Sequence, residues 1–185
     1  ICLTFFGDGA INQGQIYETF NMAALWKLPA LFVVENNRYS MGTSVKRGCA
    51  NEDLHLRGEP YGIKGVRVDG MNVLAVKEAM TKALAEIRAG GLPILLVVDT
   101  YRYRGHSMSD PAKYRSKDEV NYYKENLDPI EQIKRLLETH YKVTEEGLED
   151  IDSRIKEEID DCIEFSKDSP EPDESELFTD VYSSC

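Results

Sequence analysis

The chain has 185 residues, of which 42% are hydrophobic, enough for one ordinary domain with a core of its own. Its formal charge of −11 is unevenly spread: residues 1 to 115 hold 14 Lys+Arg against 11 Asp+Glu, and residues 116 to 185 hold 8 against 22. The acidic balance argues against nucleic acid as a partner, because phosphate binding needs clustered cations, and no apolar run is long enough for a membrane-spanning helix.

In chain order, "CLTFF" at 2 to 6 reads as a short buried strand ending in a glycine turn. Residues 12 to 27 carry Ile16, Phe20, Ala23, Ala24 and Trp26 near helical spacing, with Asn12 as the expected N-cap and Pro29 closing the unit. "ALFVVE" at 30 to 35 is a second apolar strand. Strand, helix and strand in so short a span make a βαβ unit with parallel neighbours and a right-handed crossover.

After a loop rich in Gly and charge at 38 to 64 the pattern repeats. "KGVRVDG" is a third strand, "NVLAVKEAMTKALAEIRAGG" a helix stopped by Gly90 and Gly91, and "PILLVVDTY" a fourth strand. The consistent solution is an α/β fold with an open, mostly parallel sheet and flanking helices. From residue 102 the periodicity fails through "RYRGHSMSDPAKYR", a polar loop placed after a strand end, where α/β proteins gather function.

Helices follow near 117 to 125, from Pro129, and at about 145 to 167. In the last of these Leu148, Ile151, Ile155, Ile159, Cys162 and Ile163 form a narrow apolar stripe on an acidic rod, read as a surface helix packed along one face. The tail, with two prolines, reads as extended. The expected organisation is residues 1–115 as part of an α/β domain and residues 116–185 as an acidic helical extension and tail packed on the same domain. The chain lacks an initiator Met and opens inside an apolar run, so it is expected to lack an N-terminal part, and any targeting peptide with it. Cys2, Cys49, Cys162 and Cys185 are scattered, with no CxxC pair, which points to neither a zinc site nor a disulfide framework, and so to a reducing compartment.

The two strand ends carry the chemistry. In a βαβ unit the C-terminal ends of both strands share one edge, so Asp8 in "FFGDGAINQG" and Asn37 in "VVENNRYSMG" are neighbours in space. A carboxylate and an amide oxygen are hard donors suited to Mg²⁺, which completes its octahedron with water and phosphate oxygens. Gly7 and Gly9 allow close backbone approach, and the following helix offers N–H groups to a diphosphate. Together these features call for a Mg²⁺-diphosphate.

GDG at one strand end and NN at the next, with 26 residues between Gly9 and Asn36, resembles the thiamine diphosphate-binding motif. The stretches "GDGAINQGQIYETFNMAALWKLP", "ENNRYSMGTSV", "VRVDGMNVLAVKEA" and "TYRYRGHSMSDPAKYR" are similar to the α subunits of the first component of pyruvate dehydrogenase, of a bacterial, alphaproteobacterial kind. That resemblance covers most of residues 3 to 130, and the acidic end more loosely. It implies the thiamine diphosphate-binding fold, with Asp8, the Asn37 side chain and the Tyr39 carbonyl as Mg²⁺ ligands. Gly9 and Ala10 would lie against the diphosphate, Asn36 would shape the turn, and His106 would reach the diphosphate and the reacting centre. A histidine there can donate a proton or stabilise an anion as an acyl group is handed on.

The resemblance also implies a β subunit, an α2β2 assembly, and oxidative decarboxylation of pyruvate with acetyl transfer to the lipoyl domain of the dihydrolipoyl acetyltransferase component. It places the protein in the bacterial cytoplasm, or in the mitochondrial matrix if the source is eukaryotic. This stretch alone is expected to be inactive, because the glutamate that activates the cofactor belongs to the β subunit. Ser107 and Ser44 match positions phosphorylated in eukaryotic family members. The alternatives are the α subunit of a branched-chain 2-oxo acid or acetoin dehydrogenase, and a non-catalytic assembly subunit.

Overall fold

The computed structural model describes residues 1–181, so the expectations for Cys185 and the last residues of the tail lie outside the described residues. The chain divides into two compact units, Ile1–Ile133 and the residues from Lys134 on.

The first unit is built on a four-stranded parallel sheet. Its elements are β1 (Cys2–Gly7), α1 (Gly14–Leu25), β2 (Ala30–Asn36), a hairpin of β3 (Tyr39–Ser40) and β4 (Thr43–Ser44), a single turn α2 (Val45–Gly48), β5 (Lys64–Asp69), α3 (Val73–Arg88), β6 (Ile94–Asp99) and α4 (Lys117–Asn126). The strand order is β1-β2-β6-β5, with parallel pairing throughout. The expected βαβ unit is therefore present, and β6 inserts between β2 and β5.

Continuous apolar runs suit the two central strands, because both faces of the sheet are covered. Phe32 and Val34 of β2, with Leu95 and Val97 of β6, pack with Phe20 and Ala23 of α1. The alternate residues Leu31, Val33, Ile94, Leu96 and Val98 pack with Ala83 and Ile87 of α3. This is the period-two alternation of a strand dividing its side chains between two layers. Phe20 meets Phe32 edge to face at 4.9 Å, a geometry favoured by the ring quadrupoles.

Several local expectations change. β1 is an edge strand rather than a buried one: Leu3 and Phe5 are 40% and 55% exposed, since among the described residues β1 pairs with β2 alone. Asn12 does not cap α1. The segment after the glycine turn is a short 3-10 turn, Ala10–Asn12, and α1 starts from Gln13 with no side-chain cap. The Asn12 side chain is instead drawn into Cys49, donating to Sγ at 3.2 Å, and accepts from Arg57 at 3.4 Å. The region 38 to 64 is not plain loop but holds the β3–β4 hairpin, α2 and a 3-10 stretch at Leu54–Tyr61. α3 behaves as its sequence indicates: the Asn72 side chain accepts from the Ala75 N–H, and Gly90 leaves the helix at φ 87°.

α5 (Pro129–Tyr141) opens on its proline as expected. In the second unit α6 (Glu145–Asp168) starts at Thr144, whose hydroxyl accepts from the Gly147 N–H at 3.2 Å. Ile155, Ile159 and Ile163 of its stripe are exposed. The tail carries a 3-10 turn, Glu174–Phe178, where an extended segment was expected. Among the described residues Cys2, Cys49 and Cys162 are free thiols, and no helix is long and apolar enough to cross a membrane.

Candidate functional site

The carboxyl edge of the sheet gathers the residues singled out from sequence. In register, Gly7 faces Glu35, and Asn36 faces Asp99. The turn after β1 and the turn after β2 are thus adjacent, as topology requires.

Asp8 is buried, with 3% exposure. Burial raises its pKa above the ordinary carboxylate value, while the N–H groups of Asp8 and Asn37 and the positive charge of Arg102 pull the other way. Gly9 is held tightly: a Cβ there would lie 2.1 Å from Ser40 Oγ and 2.7 Å from Ser40 Cβ. Gly7 differs, since a Cβ would meet nothing within 4 Å, so packing against Ser40 requires a glycine only at residue 9. Ala10 opens the 3-10 turn. Asp8, Gly9, Asn12, Ser40 and Thr43 line a cavity of about 200 Å³.

The two asparagines have different tasks. Asn36 is buried; its side-chain Nδ2 donates to Asp99 Oδ1 at 2.7 Å and its side-chain Oδ1 accepts from the Arg38 N–H at 3.2 Å. Asp99 is fixed in turn by Arg67 Nε at 2.5 Å. This chain sets the orientation of the Asn36 amide and stabilises a turn in which Arg38 takes φ 73°. The side-chain oxygen of Asn37 accepts from the Tyr39 N–H at 3.2 Å, and a second lone pair remains for a ligand.

His106 lies in the polar loop after β6 and is tied to the same turn through Arg102. Arg102 donates to the Tyr39 carbonyl at 3.3 Å, the Met41 carbonyl at 2.9 Å, the Tyr114 hydroxyl at 2.9 Å and His106 Nδ1 at 3.3 Å. A guanidinium has no acceptor, so Nδ1 must accept, and a neutral ring then carries its proton on Nε2. Asp110 shapes the loop from within by accepting from the His106 N–H at 2.7 Å, the Ala112 N–H at 2.8 Å and the Tyr114 hydroxyl at 2.8 Å. Those bonds hold its carboxyl down at about 2. Arg115 donates to the carbonyls of Arg102, Tyr103 and Arg104.

Asp8, Gly9, Ala10, Asn37, Tyr39 and His106 are therefore set around one edge, and Arg102 links the last two. Asp99, Arg102, Asp110 and Arg115 were not singled out as site residues from sequence. The aspartate before Pro111 was the available signal, since such a residue commonly bonds backbone N–H groups in a turn. No group of three or more His, Cys, Asp or Glu able to hold a metal occurs among the described residues. A set with one carboxylate, one amide oxygen and one backbone carbonyl would not be such a group, yet it is chemically suited to a hard cation sharing phosphate oxygens.

The sequence model of the family described as "Dehydrogenase E1 component" matches residues 1–175. The chain belongs to that family. Within the dehydrogenase E1 family it is 55% identical over 181 residues to the pyruvate dehydrogenase E1 component subunit alpha of Rhizobium meliloti (strain 1021), covering 98% of this chain and 52% of the relative. The protein of that name from Rickettsia bellii (strain RML369-C) is 50% identical over 182 residues, covering 98% and 56%. The mitochondrial one from Dictyostelium discoideum is 49% identical over 183 residues, covering 98% and 48%. The chain spans about half the length of these relatives. The parallel sheet with flanking helices is consistent with the thiamine diphosphate-binding fold of the dehydrogenase E1 family.

Proposed function

We propose that this chain belongs to the α subunit of a pyruvate dehydrogenase, the enzyme that decarboxylates pyruvate oxidatively and passes the acetyl group to a lipoyl group of the second component. The observation that carries the reading is the joining of two turns and one loop at the sheet edge: buried Asp8, the Asn37–Tyr39 turn, and the His106 loop held to Tyr39 by Arg102. The names of the relatives support pyruvate over a branched 2-oxo acid.

Bound thiamine diphosphate supplies an electron sink that lets CO2 leave a 2-oxo acid. Asp8, the Asn37 oxygen and the Tyr39 carbonyl would hold Mg²⁺, and Gly9 and Ala10 would lie against the diphosphate. The fit rests on Asp8, because a carboxylate buried to 3% exposure is costly until a cation shares its charge. His106, with Nδ1 occupied by Arg102, would present Nε2–H as a donor where the acyl group is transferred.

The partners in this reading are the β subunit, in an α2β2 assembly, and the lipoyl domain of the acetyltransferase component. The compartment is the bacterial cytoplasm. The deciding experiment is CO2 release from pyruvate and from branched 2-oxo acids by the full-length chain assembled with its β partner, Mg²⁺ and thiamine diphosphate. Preference for pyruvate supports the reading; preference for a branched acid changes the substrate. No release despite metal-dependent cofactor binding would make this an assembly subunit.

A further inference from the structure

Asn36 and Asp99 stand opposite one another at the carboxyl ends of β2 and β6, and the backbone is bonded on both sides. The Thr100 N–H donates to the Asn36 carbonyl at 2.9 Å, and the Gly70 N–H donates to the Asp99 carbonyl at 2.7 Å. Between these anchors the side chains form a single line of donors and acceptors. Arg67 of β5 donates from Nε to Asp99 Oδ2 at 2.5 Å, Asn36 donates from Nδ2 to Asp99 Oδ1 at 2.7 Å, and the Arg38 N–H donates to Asn36 Oδ1 at 3.2 Å. The Asp99 side chain is only 16% exposed, so little water is at hand to replace a lost partner.

The line has one permitted polarity. A guanidinium only donates and an ionised carboxylate only accepts, so Asp99 receives from both sides. That turns the Asn36 amide with its nitrogen toward Asp99 and its oxygen toward Arg38. The Arg38 N–H belongs to the peptide that joins Asn37 to Arg38, and the next N–H, that of Tyr39, is taken by the Asn37 side chain at 3.2 Å. Asn36 and Asn37 thus fix two successive peptide planes around Arg38, whose φ of 73° is uncommon for a residue other than glycine. Those planes carry the two oxygens of this turn assigned to the metal, the Asn37 side chain and the Tyr39 carbonyl.

We propose that Asp99 is a positioning residue for Mg²⁺: by accepting on both oxygens it holds the Asn36 amide in the one orientation that shapes the Asn37–Tyr39 turn, without being a ligand itself. The inference rests on the cofactor site proposed above and assigns part of its metal affinity to a side chain outside the ligand set.

The test uses the full-length chain assembled with its β partner. Retention of thiamine diphosphate is titrated against Mg²⁺, and the Tm of the cofactor-free assembly is measured alongside. Asp99→Asn supplies one acceptor and one donor where two acceptors are needed, so a donor meets a donor at Arg67, Asn36 or Arg38 whichever way the amides turn. Groups that orient metal ligands typically contribute about 10- to 100-fold to metal affinity, and the half-saturating Mg²⁺ concentration should rise by a factor in that range. Retention at saturating Mg²⁺ should still reach the wild-type level. Asn36→Asp alone sets two carboxylates face to face and should raise the concentration as well. Asn36→Asp combined with Asp99→Asn reverses the middle bond while Arg67 and the Arg38 N–H both still meet acceptors, so the exchanged pair should return the Mg²⁺ dependence toward wild type. Arg67→Met, at a half-exposed position, should shift it in the same direction as Asp99→Asn by leaving Asp99 without its charged partner.

A merely structural role would lower the Tm and weaken retention at every Mg²⁺ concentration, saturation included. A loss of that kind in Asp99→Asn, an unchanged half-saturating concentration, or a raised one that the exchanged pair fails to recover overturns the proposal while the cofactor site stands. Should Asp99→Asn not assemble, Arg67→Met decides, and wild-type Mg²⁺ dependence there overturns the proposal. Absence of Mg²⁺-dependent cofactor binding in the wild type overturns the cofactor site itself.

Discussion

The Arg102 guanidinium lies 3.3 Å from the backbone carbonyl of Tyr39, although 63 residues separate them in sequence. The contact joins the loop after β6 to the turn after β2, and Arg102 reaches His106 Nδ1 from the same nitrogen. One cation therefore sets both the position of a carbonyl assigned to the metal and the tautomer of the histidine. Arginine suits the task because its planar fork donates in several fixed directions at once, which a lysine ammonium on a flexible stem does not reproduce.

Asp8 sets function against stability. A buried carboxylate is unfavourable in the cofactor-free protein, and its raised pKa has that cause. Asp8→Asn keeps the shape and removes the charge, so the cofactor-free assembly should gain Tm by a few degrees, the scale of about 1 kcal/mol. The same change should abolish Mg²⁺-dependent retention of thiamine diphosphate, as should Asp8→Ala. Unchanged cofactor affinity in both variants would refute the metal role.

Gly9 offers a prediction with a built-in rescue. A Cβ at residue 9 would be 2.1 Å from Ser40 Oγ and 2.7 Å from Ser40 Cβ, but 3.8 Å from Ser40 Cα. Gly9→Ala should therefore cost about 1–3 kcal/mol as overpacking and weaken cofactor binding. Gly9→Ala combined with Ser40→Gly should recover most of the stability, because only an ordinary contact remains. Thermal melts of the two variants decide it, and failure of the second to recover would place the conflict elsewhere.

The sheet was legible because its signal is local. "ALFVVE" and "PILLVV" are apolar without alternation, which suits strands covered on both faces, and both became central strands. β1 reads much the same yet lies at an edge, since composition cannot say which strand has a neighbour on each side. The glycine and asparagine segments were legible as turns at adjacent strand ends. The loop from Arg102 to Arg115 was not, because its order comes from non-local bonds made by Arg102, Asp110, Arg115 and, from α4, Glu119. The Ser116-x-x-Glu119 spacing was visible, but the phenolic partners of the Glu119 carboxylate, Tyr39 and Tyr101, lie 80 and 18 residues away. Asn12 failed as a cap for the same reason: Cys49 and Arg57 compete for its side chain.

Asp110 gives the loop a defined pH response. Its pKa is lowered to about 2 by the bonds from the His106 and Ala112 amides and the Tyr114 hydroxyl. A depressed carboxylate contributes stability that is complete above its unfolded value, near 3.8, and is lost as pH falls through about 2. Tryptic cleavage of the loop, corrected for the activity of trypsin, should therefore show no Asp110 transition between about pH 6 and about pH 9. Asp110→Asn should accelerate cleavage by a factor that stays constant over that range. A factor that changed with pH would mean that another group titrates with the loop.

His106 tests the division of labour between binding and chemistry. Its Nδ1 is engaged by Arg102 and its backbone N–H by Asp110, and neither bond uses Nε2. Removing the ring should leave the oxygen donors at Asp8, Asn37 and Tyr39 intact. His106→Ala in the assembled enzyme should therefore retain thiamine diphosphate with nearly wild-type affinity while acyl transfer to a lipoyl domain slows by about 10²–10⁴-fold, the usual contribution of a positioned acid or base. Decarboxylation measured with an artificial electron acceptor, which bypasses the lipoyl group, should fall less. Equal losses in both assays would make His106 necessary for an earlier step, and wild-type transfer would remove it from the mechanism.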